Sequence, residues 1–109
     1  MKRYTVAVEP GAEKDLDEIT EYIAEHESVD RAIDIAMRIE RSIAGLEMFP
    51  NRGAYPKELL ELGIRDYREV HFKPYRIIYR VLEREVVVVL IADGRRDMQT
   101  LLTSRTLGA

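Results

Sequence analysis

Residues 63–97 read GIRDYREVHFKPYRIIYRVLEREVVVVLIADGRRD, and the alternation of their side chains decides the fold. Three segments, 64–72, 75–82 and 86–92, are rich in Val, Ile, Tyr and Phe, which favour strands. The links at Lys73-Pro74 and Glu83-Arg84-Glu85 are hairpin-sized, so consecutive strands should run antiparallel. In the middle strand Tyr75, Ile77, Tyr79 and Val81 share one face, and Arg76, Ile78, Arg80 and Leu82 share the other. In the strand before it, Ile64, Val70 and Phe72 oppose Arg65, Tyr67, Glu69 and His71. A symmetric hairpin turning at Lys73-Pro74 sets Phe72 against Tyr75, Val70 against Ile77 and His71 against Arg76, so apolar meets apolar and polar meets polar. Arg68 breaks the pattern by falling on the apolar face opposite Tyr79, which suggests an edge or a bulge.

Outward from this segment the period changes. Residues 3–8, RYTVAV, alternate as a first strand that ends at Pro10-Gly11. Ala12, Leu16, Ile19 and Ile23 then fall on one stripe of a helix running to about His26. Ser28 or Asp30 can cap a second helix reaching about Glu47, with Ala32, Ile35, Ala36, Ile39, Ile43 and Leu46 on one face. The short link makes the two helices an antiparallel hairpin. MFPNRGAYPKE (48–58) reads as loop, with two prolines and a glycine. The tail DMQTLLTSRTLGA (97–109) does not decide between a short final helix and a frayed end. Strand, helix, helix, strand, strand, strand predicts one α+β domain over residues 1–109, its helical hairpin packed on one face of a mainly antiparallel sheet.

The other face should then be polar, presenting Arg65, Tyr67, Glu69, His71, Arg76 and Arg80. Arginines there suit phosphates, Tyr67 suits base stacking, and Glu69 or His71 suits proton transfer. The same residues equally suit a solvated sheet face with no chemistry.

Composition narrows the classes. With no cysteine, disulfides, a thiolate nucleophile and Cys-ligated zinc are excluded. His26 and His71 lie 45 positions apart, so neither a metal nor a cofactor is expected. The longest apolar run, VVVVLIA (86–92), is too short to cross a bilayer, and MKRYTVAVEP has no apolar signal core, so the chain is read as cytoplasmic. The net charge of −3 divides unevenly. Residues 9–61 hold 6 Lys/Arg and 14 Asp/Glu (−8), and residues 65–96 hold 8 and 5 (+3), an asymmetry that suggests a charged partner.

Several motifs resemble the RelE/ParE superfamily of toxins from type II toxin–antitoxin modules: EPGAEKDLDEITEYIAEH, LEMFPNRG, Gly63-Ile64-Arg65, Tyr75-Arg76-Ile77-Ile78-Tyr79 and Gly94-Arg95-Arg96-Asp97. The resemblance covers nearly the whole chain. It implies an antitoxin whose C-terminal segment wraps the toxin, and one of two activities. RelE-like members cleave mRNA in the ribosomal A site; ParE-like members inhibit DNA gyrase and have no known catalytic residues. On the nuclease branch, Arg76 and Arg96 would hold the scissile phosphate, with Glu69 or His71 as base. The lysines that some nucleases carry fall at Tyr67 and Glu69 here, and the tyrosine of their tail falls at about Leu102. The missing tail tyrosine and histidine, with the acidic net charge, weigh against a ribosome-directed nuclease. EITEYIAEH, FPNRG and RRDMQTLL look ParE-like. The resemblance therefore implies a gyrase-binding toxin without catalytic residues, the alternatives being a RelE-like ribonuclease or a non-toxic member that only binds antitoxin. Arg65, Tyr67, Arg76, Arg95, Arg96, Tyr22, Ile33 and Met37 are the expected contacts with target or antitoxin.

Overall fold

The computed structural model describes residues 3–107. The chain forms β1 (Thr5–Val8), α1 (Pro10–His26), α2 (Val29–Ala44), a 3-10 turn (Gly45–Glu47), α3 (Lys57–Leu60), β2 (Arg68–Phe72), β3 (Tyr75–Leu82), β4 (Glu85–Asp93) and α4 (Met98–Thr106). The sheet order is β1-β4-β3-β2, with β1 parallel to β4 and the other pairs antiparallel.

Local chemistry explains the helix starts. Pro10 opens α1, where its fixed φ fits and its missing N–H costs nothing. Ser28 caps α2 by accepting from the Arg31 N–H at 3.0 Å, and Asp97 caps α4 by accepting from the Thr100 N–H at 3.1 Å. The tail thus forms a helix through Thr106.

The expected hairpin register is present: Phe72 pairs with Tyr75, Val70 with Ile77 and His71 with Arg76. Arg68 lies opposite Tyr79 on an edge strand, where its guanidinium leaves the core and donates to the Gly53 carbonyl at 2.8 Å. Tyr79 stays buried on the hairpin side. Its hydroxyl donates to the Pro50 carbonyl at 2.7 Å and accepts from the Gly53 N–H at 3.0 Å, which pins the FPNRG loop to the sheet. Any side chain at Gly53 would put its Cβ 2.6 Å from that hydroxyl.

Two expectations about the sheet need correction. β2 begins at Arg68 rather than Ile64, because α3 and its exit occupy the preceding residues. Gly63 takes φ +78° to end that helical turn, and the Ile64 N–H returns to the Leu59 carbonyl at 2.9 Å. Arg65 and Tyr67 are therefore not strand residues.

The second correction concerns the polar face. Helices cover both faces of the sheet. On one, Ala12, Ile23, Ile35, Ile39, Ile43 and Leu46 pack against Ile77, Tyr79, Val86, Val88 and Ile91. On the other, Leu59, Tyr67, Met98 and Leu102 pack against Ile78, Val89, Leu90 and Ala92. The unbroken apolar run of β4 is the sequence mark of a strand buried on both sides.

β4 also contains a bulge. Ile78 pairs with Leu90 but Tyr79 pairs with Val88, so Val89 has no partner in β3. Arg105 of α4 donates to the Val89 carbonyl at 2.9 Å, and Asp15 of α1 accepts from the Ile91 N–H at 3.0 Å. Arg105 and Asp15 join each other at 2.8 and 3.0 Å. This ion pair serves backbone groups beyond the reach of β1 and ties α4 to α1.

Candidate functional site

Arg76 lies on β3 with its side chain only 12% exposed. Its Nη1 and Nη2 donate to the two oxygens of Glu58, each at 2.8 Å, and its Nε donates to Glu69 Oε1 at 2.6 Å. The fork-to-fork pairing with Glu58 is the geometry that a guanidinium also offers to a phosphate. Here that valence is already filled. Hydrogen bonds to Glu58 and then, against the opposing effect of burial, to Glu69 hold Arg76 charged well above the ordinary arginine range. The hydrogen bond from Arg76 likewise draws the Glu58 carboxyl below its usual range.

One cation faces two carboxylates, so the trio carries a net −1. A phosphodiester approaching Arg76 would have to displace Glu58 and meet Glu69. The expectation of an open, solvated Arg76 is overturned by the helical turn that brings Glu58 over it. Glu58 was missed because it stands 18 residues before Arg76 in a segment read as loop. Only its acidic character hinted at a role.

The structure does bring Glu69 and His71 to Arg76. His71 Nε2 lies 3.4 Å from Glu69 Oε1, and the His71 ring is exposed. Tyr67 is buried in the second core and offers no stacking face. Leu102 is fully buried there too, so that position of the tail serves packing. Arg80 is half-buried on β3, and Arg65 is exposed.

Arg95 and Arg96 sit exposed on the turn between β4 and α4. Arg95 is tied to Asp93 by a two-oxygen contact, and its hydrogen bond lowers the Asp93 carboxyl. Arg96 makes no ion pair among the described residues. A cleft of about 560 Å³ joins Arg95 and Arg96 to Tyr22 of α1, with Glu18, Glu27 and Tyr75 between them. Ile33 and Met37 lie outside that cleft. Together with Val29 they form an i, i+4, i+8 stripe on α2, and Ile33 and Met37 are 54% and 48% exposed. Tyr22 is exposed as well and stacks on His26. These apolar side chains therefore do not complete the core.

Among the described residues no group of three or more His, Cys, Asp or Glu side chains is placed to hold a metal, and no helix is long and apolar enough to cross a membrane.

Comparison with known proteins agrees with this architecture. The family described as "ParE toxin of type II toxin-antitoxin system, parDE" matches residues 6–98. Toxin ParE3 of Caulobacter vibrioides is 30% identical over 92 residues, covering 84% of this chain and 88% of that protein. The fold is shared with a chain of the chromosomal ParDE system of P. aeruginosa (TM-score 0.70, 18% identity, 84% and 96% of the two chains). It is shared with a free-state mutant of E. coli toxin RelE (0.64, 13%, 97% and 96%). A chain of the RelBE2 toxin–antitoxin complex of Mycobacterium tuberculosis has it too (0.57, 21%, 85% and 93%).

Proposed function

Because the chain belongs to the ParE toxin family of type II toxin–antitoxin systems, we propose that it acts by binding its target and not by cutting RNA. DNA gyrase is that target, and a cognate antitoxin is the neutralising partner. The observation that carries this reading is the closure of Arg76 by Glu58 and Glu69. A phosphoryl-transfer site needs a cation free to meet charge as it develops in the transition state. At Arg76 the cation is spoken for and its surroundings are net negative. The buried aliphatic side chain of Leu102 supplies no proton at the tail.

The antitoxin is proposed to lay an apolar segment along the helical hairpin, using Tyr22, Ile33 and Met37 as receiving side chains. The −8 balance of residues 9–61 favours a segment with basic flanks. Arg95 and Arg96, at the far side of the cleft that begins at Tyr22, are proposed as contacts for target or antitoxin.

The test uses purified protein in two parallel assays. With gyrase and relaxed plasmid, supercoiling should be inhibited in proportion to added protein. With translating ribosomes, the mRNA should remain intact. Cleaved mRNA beside unaffected supercoiling would overturn the proposal in favour of a ribonuclease. Inactivity in both assays would overturn it in favour of a member that only binds antitoxin.

A further inference from the structure

A second charged site lies on the β2 edge of the sheet, at the C-terminal end of β3. Arg65, Arg68 and Arg80 line one cleft of about 290 Å³ with Asn51, Asp66, Val81 and Leu82. Three guanidiniums against one carboxylate leave a local charge of +2 on a protein whose net charge is −3. None of the three arginines has an ion-pair partner among the described residues, in contrast to Arg76, Arg95 and Arg105.

The cleft is also preformed. Arg68 Nη1 donates to the Gly53 carbonyl at 2.8 Å and to the Asn51 carbonyl at 3.3 Å. Carbonyl oxygens fix the guanidinium without neutralising it. The Tyr55 ring steadies two of the cations, with Arg68 Cζ 4.7 Å and Arg65 Cζ 5.9 Å from its centroid. Holding side chains in place beforehand lowers the ordering cost of binding.

We infer that this cleft receives the carboxylates of an acidic–apolar peptide segment of a protein partner. Carboxylates match the free guanidinium faces of Arg65 and Arg80. The apolar wall supplies the second half of the match, since Val81 lines the cleft beside Leu82, which is 43% exposed. A nucleic-acid backbone fits less well. It calls for cations spread along a track of phosphates, whereas these converge on one small cleft with Asp66 inside it. This site involves neither the helical hairpin nor the Arg76 trio, and it does not depend on the identity of the toxin's target.

The test is an NMR titration of isotope-labelled full-length protein, read at the arginine Nε–Hε signals. The probes are a capped tetrapeptide, Leu-Glu-Glu-Leu, and a short single-stranded oligonucleotide. The peptide should shift the Arg65, Arg68 and Arg80 signals saturably while Arg31, Arg38 and Arg41 of α2 stay in place. The Arg65→Gln/Arg80→Gln variant should bind the peptide at least about tenfold more weakly, with unchanged melting. Should that variant melt early, Arg80→Gln alone should weaken binding by roughly threefold. The inference is overturned by an absence of selective shifts or by undiminished peptide affinity in these variants. It is equally overturned if the oligonucleotide saturates the same signals at lower concentration than the peptide.

Discussion

Replacing Arg76 with alanine isolates what its ion-pair cage contributes. The substitution leaves the carboxylates of Glu58 and Glu69, 12% and 10% exposed, without their shared cation. Removing one partner from a buried pair costs about 3–5 kcal/mol, mostly because the remaining charge is stranded. Since the trio is slightly open to solvent, the lower end applies, about 3 kcal/mol. That is a large share of the roughly 5–15 kcal/mol that holds a domain together. It corresponds to a melting-temperature drop of roughly 10–20 °C for a chain of this size. The pH dependence has a definite sign. In the native protein Glu58 titrates below its ordinary value of 4.5, chiefly through the hydrogen bond from Arg76. Its contribution is therefore present above that value and is lost as pH falls through the lower, folded one. Without Arg76 only burial and weaker neighbours act, and burial pushes Glu58 upward. The variant is then penalised near neutrality and relieved by acid. Urea unfolding followed by circular dichroism, at neutral pH and again below pH ~4.5, measures both. The stability gap should be widest near neutrality and narrow on acidification. Equal stability at neutral pH, or a gap that widens in acid, would refute the reasoning.

Three further outcomes are expected. Tyr79→Phe removes the hydroxyl bonded to Pro50 and Gly53 and leaves two backbone groups unpaired, so thermal melting should report a loss of about 1–3 kcal/mol. Arg105→Ala breaks the tie between α4 and the β4 bulge; hydrogen exchange at the Ile91 amide should quicken more than at Ile77, and equal rates in variant and wild type would count against the tie. Ile33→Asp places a charge on an exposed hairpin position and should leave stability within about 0.5 kcal/mol. Calorimetry should nevertheless show antitoxin affinity falling by at least about tenfold, and unchanged affinity would move the docking site elsewhere.

The pairing of β2 with β3 was legible because a one-residue slip sets Ile77 against Glu69, with Val70 against Arg76, in one direction and against His71 in the other, and the hydrophobic pattern excludes both. The helical stripes were legible for the same kind of reason. The covered second face was not foreseen, although VVVVLIA carries its signal, because alternation in β2 and β3 was extended to the whole sheet. The helical turn Lys57–Leu60 is too short for a 3.6-residue period to emerge, and with it went Glu58. The bulge at Val89 has no local signature among four consecutive valines, so Arg105 and Asp15 gave no hint of their roles. Arg76 itself was legible as a marked residue. Parity and register set Glu69, 7 positions away, on its face, but Glu58, 18 positions away in a helical turn, depends on tertiary folding that strand parity cannot report.

The most direct test of Arg76 as a brace, in a toxin that works by binding, replaces the whole trio. A well-packed apolar substitute for a buried ion group of similar volume is often neutral or stabilising. Arg76→Met/Glu58→Leu/Glu69→Leu should therefore fold, as confirmed by a cooperative melt, while leaving no charge in the trio. Induced without antitoxin, the folded variant should arrest growth as the unaltered protein does. A variant that folds cooperatively yet leaves growth untouched would contradict the brace and return Arg76, with its carboxylates, to the toxic mechanism.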